Sequence, residues 1–321
     1  MTFQCYWFTW AVNPREKIIL KISAEDIQRV ARQLNSTGEL ALEPVLDCSD
    51  HTVSRETFTL YREPERDLLI TLPQPSAREL PGYYDSEDYI SHTESRRNLI
   101  EKLYHQVKEH SLKRKLKIVN RACGGEGRLL DIGCGTGDFL KTCSTSGWSV
   151  TGIEPNRKAR TLAEQKIESD RIYSSLQELS DSDTEGYDVI TMWHVLEHLP
   201  DLYEQIARIK SLLNPQGSLI VAVPNFNSSD ALHYGAHWAA YDVPRHLWHF
   251  SRSSIKGIFS DFDMRIVQEI PLYFDSFYVS LLSEKYRHGK QRLFSAFYQG
   301  LRSNMRARAT GEYSSIIYWL K

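Results

Sequence analysis

From Gly127 onward, short apolar runs alternate with segments whose apolar residues recur every three or four positions. Arg128-Leu-Leu-Asp-Ile reads as a strand, followed by a glycine loop and a helix; Trp148-Ser-Val-Thr-Gly-Ile precedes a helix through Ala159 and Ala163. Tyr187-Asp-Val-Ile-Thr-Met-Trp leads to a helix from about Asp201 to Leu213, and Asn214-Pro-Gln-Gly217 forms a turn into the strand Ser218-Leu-Ile-Val-Ala-Val. Strands alternating with helices mean βαβ units on a mainly parallel sheet, with ligands at the carboxyl ends of its strands. The fold class is therefore α/β. Upstream, Leu99, Leu103, Val107, Leu112, Leu116 and Val119 keep helical spacing until Gly124-Gly125 stops it. Before that, Ile18–Ile22 is a candidate strand and Ser23 a candidate cap for a helix from Ala24 to Leu34. Phe58–Tyr61 and Leu68–Leu72 form a candidate hairpin. The boundaries predict a small module over 1–75, a linker and helical cap over 76–127, and a main domain over 128–321.

Composition narrows the partners. Lys and Arg total 39 against 41 Asp and Glu, so the global charge recommends neither nucleic acid nor an anionic surface as the principal partner. The basic run Lys113-Arg-Lys115 with Lys117 reads as a solvated helix face. No apolar run approaches the roughly 18–20 residues of a membrane span, and the N-terminus lacks the basic start of a cleaved signal. Five cysteines without a CxxC pair suit a reduced, cytoplasmic protein.

The candidate chemistry begins at Asp131-Ile-Gly133-Cys-Gly135-Thr-Gly137-Asp138, between a strand and a helix. A dinucleotide fingerprint requires G-x-G-x-x-G; here the third glycine comes one residue early and Asp138 takes its place. Carboxylates at Asp131 and Asp138 would repel a pyrophosphate and favour a cationic amine or sulfonium. Glu154, ending the next strand, is placed to accept hydrogen bonds from both hydroxyls of a ribose.

Over residues 128–321 these features resemble the class I S-adenosylmethionine-dependent methyltransferases, whose first motif reads D/E-x-G-x-G-x-G. The resemblance implies a seven-stranded Rossmann-like sheet with the last strand antiparallel, its final strands at Met264–Ile270 and Ser314–Leu320. It implies S-adenosylmethionine as cofactor, with Asp131, Gly133, Gly135 and Gly137 along the methionine portion and Glu154 on the ribose. Leu176, after the third strand, and Trp193 complete the expected cofactor wall.

Past the fourth strand, Met192-Trp-His194-Val-Leu-Glu197-His198-Leu-Pro lacks the N/D-P-P-Y/F loop of many nitrogen methyltransferases. It looks like the M-x-x-L-E-H-V/L-P stretch of quinone-pathway and natural-product enzymes, many of which methylate oxygen. His194 is the first candidate general base. In some quinone-pathway relatives an acid at the equivalent of His194 joins this Glu and His on a metal; here a structural role is preferred for Glu197 and His198, and no metal is predicted. A second stretch, Tyr241-Asp242-Val-Pro-Arg245-His246-Leu-Trp-His249-Phe-Ser251, resembles a bacterial methyltransferase subfamily. There His246 is the rival base, and Tyr241, Arg245 and His249 are candidate substrate contacts. A buried polar network tying the loop to the sheet is an equal alternative.

Relatives in that subfamily often carry an N-terminal zinc ribbon, but the matching places read Val45, Cys48, Glu63 and Arg66, so no structural zinc is predicted. Tyr83, Tyr84 and Tyr89 form a candidate lid. Residues 272–312 interleave aromatic and basic residues, which suits membrane-surface contact, a homodimer face or cap packing. The resulting expectation is a methyltransferase acting on a small-molecule, glycan or lipid-linked acceptor, at oxygen. Its rivals are an NAD-dependent oxidoreductase and a non-catalytic S-adenosylmethionine-binding protein; a nucleic-acid methyltransferase is disfavoured.

Overall fold

The computed structural model describes residues 23–36, 40–76, 78–84, 99–168, 171–182 and 185–321. The candidate strand Ile18–Ile22 and Tyr89 lie outside them. The chain opens with α1 (Ala24–Gln33), β1 (Glu43–Ser49), β2 (Thr57–Glu63), β3 (Leu68–Leu72) and α2 (Leu99–Cys123). Then come β4 (Arg128–Ile132), α3 (Asp138–Ser144), β5 (Ser149–Ile153), α4 (Arg157–Ile167), β6 (Ile172–Tyr173) and α5 (Leu176–Ser182). β7 (Tyr187–Trp193), α6 (Leu202–Ser211), β8 (Leu213–Pro224), α7 (Ser229–Tyr234), β9 (Trp248–His249) and α8 (Arg252–Ser260) follow. β10 (Ile266–Pro271), the helical hairpin α9 (Asp275–His288) and α10 (Leu293–Thr310), and β11 (Ser315–Leu320) complete the chain.

Seven strands form one sheet in the order β10-β11-β8-β7-β4-β5-β6. β8, β7, β4, β5 and β6 are parallel, and β11 runs antiparallel to both β8 and β10. The alternation of a pleated strand sorts its residues onto two apolar layers. Leu130, Ile132, Ile190, Met192, Leu219 and Val221 join one core cluster; Leu129, Val189, Ile220 and Ala222 join another beneath α2. The segment expected as a turn, Asn214–Gly217, is instead part of β8, because Tyr187 pairs with Leu213 before the register shifts and resumes at Val189–Ser218.

Ser23 caps α1 through its hydroxyl, as its sequence position suggests. The predicted hairpin forms from β2 and β3, but it belongs to a four-stranded sheet, β1-β2-β3-β9, whose outer members were not foreseen. Its apolar face is continuous with the larger sheet: Tyr61, Leu68, Ile70 and Leu72 share a cluster with Leu130, Met192 and Val221. Among the described residues, this face of the smaller sheet therefore shares its core with the larger one. At Glu63 and Arg66, the turn is closed by the Glu63 carboxylate accepting from the Arg66 amide at 2.7 Å. The other end of the sheet is organised by Asp50, whose carboxylate accepts from the Thr52 and Ser54 amides at 2.8 Å each. No helix among the described residues is long and apolar enough to cross a membrane.

Candidate active site

At the carboxyl end of β4 the backbone passes through left-handed conformations at Gly133, Gly135 and Gly137, with φ of 73°, 55° and 78°. At Gly133 a side chain has no room, since a Cβ would lie 2.4 Å from Val195 Cγ2, and at Gly137 one would press on Ala163 at 3.0 Å. Gly135 differs. Nothing lies within 4 Å of the place its Cβ would take, so the loop is open there to a ligand lying against the backbone. Glu154 is bound to this same point, its carboxylate accepting from the Gly135 amide at 2.9 Å and the Asn156 amide at 2.8 Å. Burial raises its pKa, with those two amides and Arg160 acting against the shift. Asp131 lies buried below the loop and accepts from Thr191 Oγ1 at 2.6 Å. Burial pushes its pKa up to about 7, although Thr191 and Lys115 both favour the carboxylate.

Trp193 ends β7 and packs edge-on to Phe139 of α3, with ring centroids 5.5 Å apart. The next residue, His194, turns the chain through φ 58° and points its ring between two carboxylates. Its Nε2 is 3.0 Å from Asp275 of α9 and its Nδ1 3.4 Å from Glu197. Burial alone would lower its pKa; the two carboxylates override that and raise it to about 10. His246 has the opposite electrostatics. Burial and the neighbouring His198 drive its pKa well below the ordinary value, and its Nδ1 donates to the Ala240 carbonyl at 2.9 Å.

These observations place an open glycine loop at the carboxyl end of β4, in a β/α sheet whose strand β11 runs against its neighbours. Residues 96–269 match the family model described as a methyltransferase domain. The chain belongs to that family. Among curated relatives it is 33% identical over 125 residues to the ubiquinone biosynthesis O-methyltransferase of Alkalilimnicola ehrlichii, a match covering 37% of this chain and 51% of that protein. To the protein of the same description from Hahella chejuensis it is 29% identical over 130 residues, covering 38% and 55%. The chain thus spans about half the length of the curated relatives it matches. Among solved structures, the magnesium protoporphyrin IX methyltransferase of Synechocystis PCC 6803 aligns with a TM-score of 0.48 and 14% identity over 74% of this chain and 95% of that one.

S-adenosylmethionine is the family's methyl donor, and the residues present fit it: an open backbone at Gly135 beside the Glu154 carboxylate, with Asp131 beneath. Asp138 does not repel a pyrophosphate in the way its place in the sequence suggests. Lys108 and Lys166 each lie 2.7 Å from it, and although burial opposes them they hold its carboxyl below the usual range. That charge is neutralised inside the protein and says nothing about the ligand. Leu176 is placed in the main apolar core, and the amide and hydroxyl of nearby Ser174 both donate to Glu178.

The second histidine-rich stretch forms the buried network. The Arg245 guanidinium pairs with Asp242, comes within 3.7 Å of Asp50 and donates to the Tyr83 carbonyl at 2.9 Å. Tyr241 stands edge-on to Trp238 and His249, at 5.0 and 5.4 Å. The His249 Nε2 is 2.9 Å from Thr71 Oγ1 on β3. Tyr241, Arg245 and His249 thus fasten β9 and its loop to the N-terminal sheet. His198 joins them, its Nδ1 3.0 Å from both Tyr84 Oη and the Arg245 carbonyl. Glu197, His198 and His246 bring one potential ligand atom apiece within 4.8 Å of one another. The residue that sequence reasoning missed altogether is Asp275, the partner of His194, more than seventy positions away from it in the chain.

Proposed function

We propose that the protein methylates a hydroxyl of a small, largely apolar acceptor. The observation that carries this reading is the open left-handed backbone at Gly135 facing the anchored Glu154 carboxylate. The choice of oxygen is supported by the O-methyltransferases among the relatives and by the ionic group at the end of β7. S-adenosylmethionine, when bound, supplies an activated methyl group on a sulfonium. The protein contributes position and proton management. Gly133, Gly135 and Gly137 shape the ledge, Glu154 holds the ribose hydroxyls, and Trp193 with Phe139 closes the apolar side.

The two candidate bases divide the work. His194, with its pKa raised to about 10 by Asp275 and Glu197, is an imidazolium at neutral pH and has no lone pair for a proton. Its role is to place positive charge beside the acceptor oxygen and stabilise the developing oxyanion. His246 is neutral, and because Nδ1 donates to Ala240 its Nε2 carries the lone pair. It is assigned the proton-accepting role. The test is calorimetric titration with S-adenosylhomocysteine and, in parallel, NADH, followed by methyl transfer to phenolic and catecholic acceptors. Binding of S-adenosylhomocysteine alone supports the assignment, and binding of NADH alone overturns it.

The exterior of the α9–α10 hairpin supports a further element of the reading. Leu293, Phe294, Phe297, Tyr298, Leu301 and Met305 project from α10, Phe294 being 94% exposed. Residues 276–311 hold seven Lys and Arg against one acid, Glu284, in a chain whose net charge is −2. An apolar ridge set in positive charge suits an anionic lipid surface. In this reading the hairpin rests on a membrane face and the cleft draws its acceptor from there, with the protein itself cytoplasmic.

A further inference from the structure

The basic run on α2, expected to be a solvated face, is divided by helix phase. Lys113 and Lys117 are exposed, and Lys113 pairs with Glu109. Arg114 donates to the Pro271 carbonyl at 2.7 Å. Lys115 lies three, four and seven residues before Ile118, Val119 and Ala122, all buried, so it stands on the stripe that faces the sheet. Its Nζ is 4.4 Å from the Trp193 ring centroid and 5.9 Å from that of Phe139, in the first turn after the glycine loop.

This ammonium has no hydrogen bond or ion pair among the described residues, whereas Lys108 and Lys166 are both committed to Asp138. The edge of the same Trp193 ring presents a second unused donor: its Nε1 is buried without an acceptor. A buried donor left unpaired is costly unless something accepts from it, and the half-buried Lys115 ammonium stands beside the indole donor on the same wall. Burial pulls the Lys115 pKa down, and the carboxylates of Asp131 and Asp275 pull it back.

We infer that Lys115 and the Trp193 indole N–H receive the α-carboxylate of the cofactor's amino-acid end, with Asp131 facing its α-ammonium. An amino acid carries these two charges one carbon apart, and α2 and β4 present a cation and an anion to the same space. The inference rests on the S-adenosylmethionine reading above and adds to it the residues that bind the zwitterion.

The experiment compares two nucleosides by calorimetry on the full chain. S-adenosylhomocysteine carries the amino acid, and 5′-methylthioadenosine lacks it. Lys115→Met, which keeps the apolar stem, is expected to weaken S-adenosylhomocysteine roughly tenfold or more and to leave 5′-methylthioadenosine within about twofold. Lys115→Arg is expected to restore most of the loss. Binding of 5′-methylthioadenosine also reports that each variant is folded. Equal losses for both nucleosides would make Lys115 structural and overturn the assignment. Unchanged S-adenosylhomocysteine affinity with weaker binding of an acidic acceptor would overturn it too, by moving the carboxylate to the acceptor. Failure of the unaltered protein to bind either nucleoside would instead sink the cofactor reading on which the inference stands.

Discussion

At the scale of single residues, the cleft is a set of charges whose states are set by a few neighbours. Glu154→Ala removes the acceptor expected to hold the ribose hydroxyls and should weaken S-adenosylhomocysteine by roughly 1–3 kcal/mol in calorimetry; unchanged affinity would reject that role. Gly133→Ala should destabilise the protein outright, since the added Cβ would meet Val195 at 2.4 Å in a backbone at φ 73°. A lower midpoint in denaturant checks it. For His194 the folded pKa of about 10 lies above its ordinary value of 6.5. The stabilisation it contributes is therefore complete below about pH 6.5 and is lost as pH rises through about 10. Thermal midpoints measured from pH 7 to 10.5 should fall more for the unaltered protein than for His194→Asn. Turnover should follow the same limb, holding through neutral pH and dropping towards pH 10; a rise over that range would return His194 to the role of base.

The glycine loop and Glu154 were legible in the sequence because each is a local pattern: residue types at fixed offsets around one strand–loop–helix turn. The charge on His194 was not, because it depends on Asp275, which a helical hairpin brings in from a remote part of the chain. Lys115 was obscured by its neighbours Lys113 and Lys117, which do face solvent. Its phase with Ile118, Val119 and Ala122 was the available signal.

At the scale of elements, the helices and strands of the parallel sheet could be read because they are long enough to show a period. Among the elements that escaped were β1, with a β-bulge and an exposed start, β9, whose two residues have no period at all, and the short helices α5 and α7. The helix that follows β9 carries a predictable cap in a full capping box, with Ser251 and Ser254 each bonding the other's backbone amide. Ser251→Ala should cost about 1 kcal/mol, seen as a shift in denaturant midpoint. The hairpin makes a separate prediction. Replacing Phe294 and Phe297 by Glu, on a helix whose outer face they dominate, should abolish sedimentation with phosphatidylglycerol vesicles while leaving cofactor affinity intact. A fall from dimer to monomer in light scattering, without any vesicle effect, would assign that face to a second copy.

At the scale of the whole molecule, one apolar cluster runs from Val30 and Ile70 through Met192 to Leu320, so the two sheets are expected to lose structure in one transition. Ile70→Ala, emptying a fully buried site, should cost about 2–5 kcal/mol. It should lower the unfolding temperature seen by near-ultraviolet circular dichroism and that seen by cofactor protection by the same amount. Separate transitions would show that the N-terminal sheet folds on its own.

The pairing of β3 with β9 also has a bearing on how the chain acquires its structure. Thr71 and His249, which meet across that pair, are 178 positions apart, so three early strands are made long before the short segment that completes their sheet. Closing so large a loop is slow relative to forming local hairpins and helices. During that interval the free edge of β3, rich in leucine and isoleucine, is open to pairing with another chain. Pulse-labelled hydrogen exchange during refolding should find the Leu69 and Thr71 amides, on the side where Thr71 donates to the Leu247 carbonyl, among the last to gain protection, and the yield of refolded protein should fall as concentration rises.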